Sequence, residues 1–348
     1  MPPRIGVITN PNSKKNRCRQ GRRAELTRIV GPLGVVRQTS EVGEISDALA
    51  EFIDAGCEYW VSDGGDGALH WMLTCGDQML RGRAAESGNG VVWPSLVPTN
   101  GGTIDFVAAK VGIHGRAEKI LTVLRHALEH GKRPEAVPVG TLRMVGWPRG
   151  AESGAPNFER LGFASAIGGT AQRFFEQYYE DRDPGPATIM RVLTFGFAGY
   201  FAGLLGDKPR SLLPTGVRRV SDALFEPARM TVEVDGRVLP QKEFTTVQVG
   251  AVDINLGHVV RTFRFAKDPG RLHLQALAFS TSEIVANLPT IVTGSPAIGR
   301  NLYDGPAREI RVRALEGRAL DPVIDGECFN DLVALHIKCG PTISVPRI

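Results

Sequence analysis

The sequence predicts an α/β plus all-β chain. A doubly wound α/β unit over residues 1–134 is followed by a β-rich, sandwich-like unit over residues 135–348. Three observations carry this expectation. Short apolar runs in the N-terminal third end in Gly- or Asn-containing turns and give way to helical spacing. Beyond Gly131-Lys132-Arg133-Pro134 the apolar period changes to two. The length, 348 residues, is long for one core and comfortable for two.

In chain order, Ile5-Gly6-Val7-Ile8-Thr9 reads as a strand. Asn10-Pro11-Asn12-Ser13 then fixes a turn, with Ser13 placed to cap a following helix. Leu26, Ile29, Val30 and Leu33 have helical spacing, as do Ile45, Leu49, Phe52 and Ile53, which end at Gly56. Tyr59-Trp60-Val61 is a second strand, entering the turn Gly64-Gly65-Asp66-Gly67-Ala68, and Leu69 to Leu73 reads as helix. A third strand-like run enters Gly101-Gly102-Thr103, and Ile120, Leu121, Leu124 and Leu128 close the first unit. Alternating strand and helix imply a parallel sheet with helices on both faces, and the three turns then fall on one edge, where ligands bind.

The second unit has a different texture. Met230, Val232 and Val234 alternate up to Asp235-Gly236, a hairpin signal. Phe263 and Phe265 alternate before Asp268-Pro269-Gly270, with Leu272 and Leu274 beyond; Ile310 and Val312, then Val333, Leu335 and Ile337, continue the period. Residues 171–206 read as a helical or irregular insertion. Its most apolar stretch, Val192 to Gly206, is short and glycine-rich for a membrane span, so a core or interfacial segment is expected.

Composition narrows the function. Hydrophobic residues make up 42% and charged residues 22%, as in a globular protein. A formal charge of +4 is too small for a broadly basic chain, and no nucleic-acid partner is expected. Lys14, Lys15, Arg17, Arg19, Arg22, Arg23 and Arg28 do crowd the first helix region, either as a solvated face or towards phosphates or an anionic surface. Five cysteines without ligand spacing argue against zinc and disulfides and for a reducing, cytoplasmic setting, with no signal peptide before the first strand. There is no GxxxxGK[ST], HExxH or GxSxG string, so P-loop, zincin and serine-hydrolase chemistries are unsupported.

The chemistry concentrates at the glycine turns. Glycine allows the backbone to approach a ligand closely, and the free amides and positive dipole end of the next helix favour an anion. Strand, glycine turn and helix therefore make a phosphate cradle. Asp66 in that cradle would repel bare phosphate, so it suits a metal ion, a hydroxyl or a turn-ordering bond; an ordinary strand-to-helix turn is the plainer reading. His70 reads as a packed or surface residue.

"NPNS" (Asn10–Ser13), "GGDGA" (Gly64–Ala68), "GGTIDFVA" (Gly101–Ala108) and Asp325-Gly326-Glu327, in this order, resemble the catalytic domain of the diacylglycerol kinase family, which includes bacterial lipid kinases and the sphingosine and ceramide kinases. The resemblance spans nearly the whole chain. It implies an active site in the cleft between the two units, a C-terminal end that returns to the first unit, and ATP with Mg²⁺ as cofactors. It implies transfer of the γ-phosphate to a lipid hydroxyl (diacylglycerol, a ceramide or sphingoid base, or phosphatidylglycerol) by an enzyme peripherally associated with a membrane. Asp325 is then the general base and Glu327 its positioning partner or a metal contact. Asn10, Ser13, Gly64, Gly65, Asp66, Gly67, Gly101, Gly102 and Thr103 would meet the nucleotide. The metal ligands are unassigned and the oligomeric state is open, a homodimer included.

Three positions depart from the family pattern. Lys14 replaces a glycine, Ala68 a threonine, and Asp105 stands on the Asn position of the third motif, or on its Asp with a one-residue gap. Asp325-Gly326 is also a hairpin dipeptide in its own right. Two other readings stay open: a nucleotide- or lipid-binding protein of the same fold without catalysis, and an NAD kinase, whose third motif "GGTIDFVA" does not match. Gly168 and Gly169 would line the cleft floor or simply pack tightly.

Overall fold

The computed structural model of the chain describes residues 4–17, 19–102, 105–151, 154–256, 260–315 and 317–348. Its first unit runs β1 (Arg4–Thr9), α1 (Arg22–Val30), β2 (Gly34–Gln38), α2 (Val42–Asp54), β3 (Cys57–Asp63), α3 (Asp66–Ser87), β4 (Ser95–Pro98), α4 (Phe106–Lys110) and α5 (Ala117–Glu129). Among the described residues the strands form one parallel sheet in the order β2-β1-β3-β4. The order reverses between β1 and β3. Right-handed crossovers therefore put α1 on one face with α5, and α2 on the other with α3; the helices pack in those pairs. The reversal opens a crevice at the carboxyl ends of β1 and β3. Ile5, Val7, Trp60, Val61, Leu96 and Val97 are buried on both sides, which explains their unbroken apolar runs.

The first turn differs from expectation. Ser13 caps no helix: α1 starts only at Arg22, after Gly21, which has φ 75 and no side-chain cap. Residues 10–17 form successive turns instead. The Asn16 amide pins them by donating to Asp63 O (3.0 Å) and Asn10 O (3.1 Å). Lys14, Lys15, Arg17 and Arg19 thus belong to a loop, and only Arg22, Arg23 and Arg28 to the helix.

The second unit begins with β5 (Ala136–Val139), β6 (Leu142–Pro148), β7 (Phe158–Gly162) and β8 (Ala164–Gly169). Four helices follow: α6 (Thr170–Tyr179), α7 (Pro186–Leu204), α8 (Asp207–Ser211) and α9 (Thr215–Leu224). Then come β9 (Ala228–Val234), β10 (Arg237–Val238), β11 (Glu243–Phe244), β12 (Thr246–Gly250), β13 (Ile254–Leu256), β14 (Val260–Thr262), β15 (Leu272–Leu277) and α10 (Thr281–Thr293). The chain closes with β16 (Leu302–Ala307), β17 (Glu309–Ala314), β18 (Val323–Ile324), β19 (Glu327–Cys328), β20 (Leu332–Cys339) and β21 (Ile343–Pro346).

Two antiparallel sheets, β10-β9-β17-β20-β6-β7 with β11 on β9, and β16-β15-β12-β8-β18-β19, enclose a core of Met144, Ile167, Val232, Val249, Leu274, Ile310 and Leu335. The chain is thus a parallel α/β layer followed by antiparallel sheets. Asp235-Gly236 makes the expected hairpin, with φ 49 and 83 and Val234 opposite Arg237. Phe263 breaks its expected strand. At φ 62 it turns out of β14, and its ring takes the space a side chain on Gly250 would need, 2.3 Å from a Cβ there. Gly168 and Gly169 pack tightly: side chains there would strike Met230 at 2.5 Å and Thr245 O at 2.2 Å. The C-terminal strand β21 pairs with β5 and packs beside β4.

Candidate active site

The three glycine turns meet. Gly101 N donates to Gly64 O (3.1 Å). The backbones at Gly65 and Gly102 are so close that a Cβ on Gly65 would stand 2.8 Å from Gly102 Cα. A Cβ on Gly64 would lie 3.0 Å from Ser13 Oγ and 2.5 Å from Ala68 Cβ, which joins the first turn to the second. Lys15 joins the first to the third: its Nζ donates to Asn100 O at 2.7 Å and to Asp105 Oδ2 at 3.2 Å. Asn10 uses its side-chain oxygen within its own turn, accepting from Asn12 N (2.8 Å). Asn10, Ser13, Gly64, Gly65, Asp66, Gly67, Gly101 and Gly102 are therefore gathered at the head of α3, while Thr103 lies outside the described residues.

Behind the turns sits a residue the motif reading passed over. Asp63, the last residue of β3, is 1% exposed. It accepts from Thr9 Oγ1 (2.7 Å), from Arg22 Nε (3.0 Å) and, on its other oxygen, from Arg22 Nη2 (3.0 Å). Arg22 also reaches Glu118 on α5 at 2.6 Å. Burial alone would raise the Glu118 carboxyl, but hydrogen bonds from its own backbone amide, Arg22 and Arg19 outweigh it and hold the group at about 2. This forked ion network fixes the ends of β1 and β3 relative to α1 and α5. Its partners lie far apart in the chain, so spacing does not reveal it.

Asp66 opens α3. Burial pushes its carboxyl well above the usual carboxylate range, and the nearby charges of Asp105 and Asp325 push it further. Asp66 Oδ2 accepts from Phe106 N at 3.4 Å. Asp105 is also raised by burial, against which the Gly102 amide (2.8 Å) and Lys15 act. Asp105 holds φ 51 just before α4, so it serves the third turn with its backbone as well as its side chain.

The Asp325-Gly326 hairpin closes the site from the second unit. With φ 50 and 89 between β18 and β19, it is a two-residue hairpin turn, so the plain reading of the dipeptide holds along with its position in the site. The Asp325 side chain has no exposed surface. Its oxygens accept from Phe163 N (3.0 and 3.1 Å) and Ala164 N (2.9 Å), and Oδ2 lies 3.3 Å from His70 Nδ1. Glu327 is only half-buried, and its two oxygens face α3. Oε2 accepts from Trp71 Nε1 (3.1 Å), and Oε1 lies 2.0 Å from where a Cβ on Gly67 would be. Consecutive residues of α3, His70 and Trp71, thus hold the two acids of the turn.

Trp71 is in turn one wall of an aromatic cage. The Arg160 guanidinium lies over Trp71 (5.0 Å), Phe158 (4.7 Å) and Phe329 (5.0 Å). Tyr179, at the end of α6, donates to Gly326 O (2.6 Å). Burial, with Cys328 and Glu327 nearby, pushes its phenol up. Lys14, on the position where the resembling family has glycine, spans to the other unit: its Nζ donates to Pro184 O (2.8 Å) and lies 3.4 Å from Asp183. None of His70, Trp71, Arg160 or Tyr179 stands in a sequence motif; a helix register placing positions 70 and 71 towards the cleft was the one available hint.

The donor set suits a hard divalent cation in type. Asp66, Asp105 and Glu327 offer oxygens, and the mutual repulsion that raises Asp66 is what a cation relieves. Among the described residues no three acidic, histidine or cysteine side chains converge on one point. Of these carboxylates, Asp66 lies at the head of α3 and could hold such an ion.

Solved structures share this architecture, a parallel α/β layer with glycine turns at its switch point closed by an antiparallel sandwich. A Bacillus anthracis str. Sterne structure provisionally assigned as a diacylglycerol kinase superposes with a TM-score of 0.58 at 16% identity, covering 98% of this chain and 95% of that one. A second from the same organism, described as a diacylglycerol kinase, gives 0.55 at 14% identity over 99% and 96%. Yeast NADH kinase complexed with NADH gives 0.50 at 10% identity over 100% and 84%. No family model matches the chain, and no curated protein matches it. The fold of this chain is the two-domain fold of these kinases.

Proposed function

We propose that this chain is an ATP-dependent lipid kinase that transfers the γ-phosphate to a lipid hydroxyl. One observation carries the reading: the glycine turns and Asp66 at the head of α3 lie directly against the acidic hairpin 325–327 of the other unit. An anion cradle and a pair of acids therefore face each other across the seam.

Each part has a role in that chemistry. The free amides at the start of α3, with Gly101 and Gly102 packed against them, receive phosphate oxygens. Asp66 would hold Mg²⁺, which neutralises phosphate charge when bound. The acceptor hydroxyl gives up its proton to the hairpin. The accessible oxygens there are those of Glu327, so we assign proton acceptance to Glu327. Asp325, sealed under two backbone amides and His70, is a positioning residue. This reverses the roles taken from the family resemblance, in which Asp325 is the base. Trp71 orients Glu327, and Lys15 ties the third turn to the first.

The test is transfer from γ-labelled ATP with Mg²⁺ to diacylglycerol, ceramide, sphingosine and phosphatidylglycerol in mixed micelles, with NAD as a control acceptor. We expect one labelled lipid. Glu327→Gln should lower kcat by at least about a hundredfold with little change in KM. Asp325→Asn should lower kcat less. Label in NAD would replace the lipid reading with a pyridine-nucleotide kinase. ATP binding without transfer to any acceptor would favour the non-catalytic reading.

A further inference from the structure

α7 is built inside out. Its buried positions, Thr188, Val192, Gly196 and Gly199, recur at helical spacing, and the two glycines face α9. The contact is close: a Cβ on Gly196 would lie 2.3 Å from the Leu224 side chain, and one on Gly199 2.4 Å from Ser221 Cβ. The opposite stripe, Ala187, Met190, Thr194, Ala198, Phe201 and Leu205, is exposed and apolar apart from Thr194. Met190 is 61% exposed, Leu205 78%, and Leu212 just beyond α8 86%. A helix of a water-facing subdomain normally shows water its polar side. Here 22% of the Ala187–Leu204 stretch is buried, and the apolar stripe runs into an apolar corner at Leu204, Leu205 and Leu212.

Charge around this surface is predominantly positive. Between Pro186 and Phe225 stand Arg191, Lys208, Arg210, Arg218 and Arg219 against Asp207 and Asp222. Arg210, Arg218 and Arg219 line an open depression of about 760 Å³ between α8 and α9, with Asp222 and Glu226 on its walls. Arg191 and Arg219 pair with Asp181 (3.3 Å) and Glu180 (3.1 Å), at the surface, where such pairs open at little cost.

We propose that the exposed face of α7 and the corner at Leu204, Leu205 and Leu212 dock this protein on an anionic lipid bilayer, lying in the interface with anionic headgroups over the arginine-lined depression. The surface combines an apolar stripe with flanking cations, the signature of interfacial helices. Two copies meeting face to face would bring like charges together, which disfavours self-association. Among the described residues α7 is long and apolar enough to cross a membrane. It lies flat instead, because its glycine face is already packed on α9. The geometry also orients the active site. Lys14 holds the Pro184 carbonyl two residues before α7, and α6 before it reaches Gly326 through Tyr179, so the docking face continues into the seam between the units. The inference deepens the lipid-kinase reading by saying where the lipid is met, and rests on that reading for this last step only.

The experiment is sedimentation with vesicles of phosphatidylcholine alone and of phosphatidylcholine with about a third phosphatidylglycerol, at low and high salt. It involves no turnover, so it succeeds or fails independently of kinase activity. The wild type should bind the anionic vesicles at least about tenfold more tightly than the neutral ones, and less tightly at high salt. Leu205→Glu/Leu212→Glu, at exposed positions that leave the fold intact, should lose at least about tenfold in binding. Lys208→Gln/Arg218→Gln should lose the preference for phosphatidylglycerol. A wild type that stays in the supernatant with both vesicles overturns the proposal, as does a double glutamate variant that binds unchanged. So does a dimer on gel filtration that this variant splits, because the face would then belong to a second copy.

Discussion

Asp66 is a carboxyl that this fold keeps charged only at a cost. Its folded-state value lies above its unfolded one through burial and the charges of Asp105 and Asp325. Between about pH 4 and that raised value the folded chain binds more protons than the unfolded chain, so stability falls as pH rises through this interval. At neutral pH Asp66 therefore costs the fold stability. We expect Asp66→Asn to abolish transfer yet melt about 1–3 °C higher than wild type at pH 7, the gap closing as pH drops below the unfolded value. A lower melting temperature at pH 7 would remove the burial argument. Gly67 and Gly101 give a second contrast. A methyl on Gly67 meets the movable end of Glu327 at 2.0 Å; one on Gly101 meets the Gly64 backbone at 2.7 Å. Gly67→Ala should cost more than tenfold in kcat with little loss of stability, whereas Gly101→Ala should destabilise by about 1–3 kcal/mol. Stability and kinetics of the two variants, measured side by side, decide this. The three glycine turns were legible in the sequence because close backbone approach leaves few other residues possible. His70 and Trp71 were not, because their roles come from a hairpin more than 250 residues away.

At the level of elements, α3 connects the two units along its whole length. Its head forms the cradle, and His70 and Trp71 grip the 325–327 hairpin. One turn on, Thr74 Oγ1 donates to Leu161 O (3.2 Å) and accepts from Leu161 N (3.1 Å). Further along, Asp77 takes both ends of the Arg143 guanidinium (2.7 and 2.9 Å) while Arg81 and Arg143 share Glu159. Thr74, Asp77 and Arg81 each pair with β6 or β7, so the cradle and the acids keep a fixed separation. Asp77 is 3% exposed, and stripping it of Arg143 leaves a buried charge with one fewer partner. Arg143→Met should therefore destabilise the chain by about 2–4 kcal/mol in urea unfolding. A change under about 0.5 kcal/mol would mean the network is only surface screening. The strand and helix pattern of the first unit was readable because period and turn chemistry agree there. The long loop before α1 was not, since an Asn-Pro-rich turn followed by basic residues reads equally well as a cap. Its course is set by Asn16 and Arg22 binding Asp63.

For the molecule as a whole, residue 134 divides the chain in sequence but does not divide the core. The hydrophobic cluster around β1, β3 and α3 continues into Leu161, Phe163, Phe263, Ile343 and Val345, all from beyond that point. The last strand, β21, pairs with β5 and packs beside β4, so the end of the chain seals the first sheet. Composition could suggest two units but could not show that the second supplies part of the interior of the first, because that depends on where the chain returns. A chain arranged this way should unfold as one. We expect a single calorimetric transition whose van't Hoff and calorimetric enthalpies agree. We also expect residues 1–134 expressed alone to lack cooperative unfolding, and to recover it when residues 135–348 are co-expressed. A fragment that folds alone with a sharp transition would show that the first unit completes its own core. The proposed function gives this single-unit behaviour a reason: Glu327 and the glycine turns come from opposite ends of the sequence, and a continuous interior keeps them in contact.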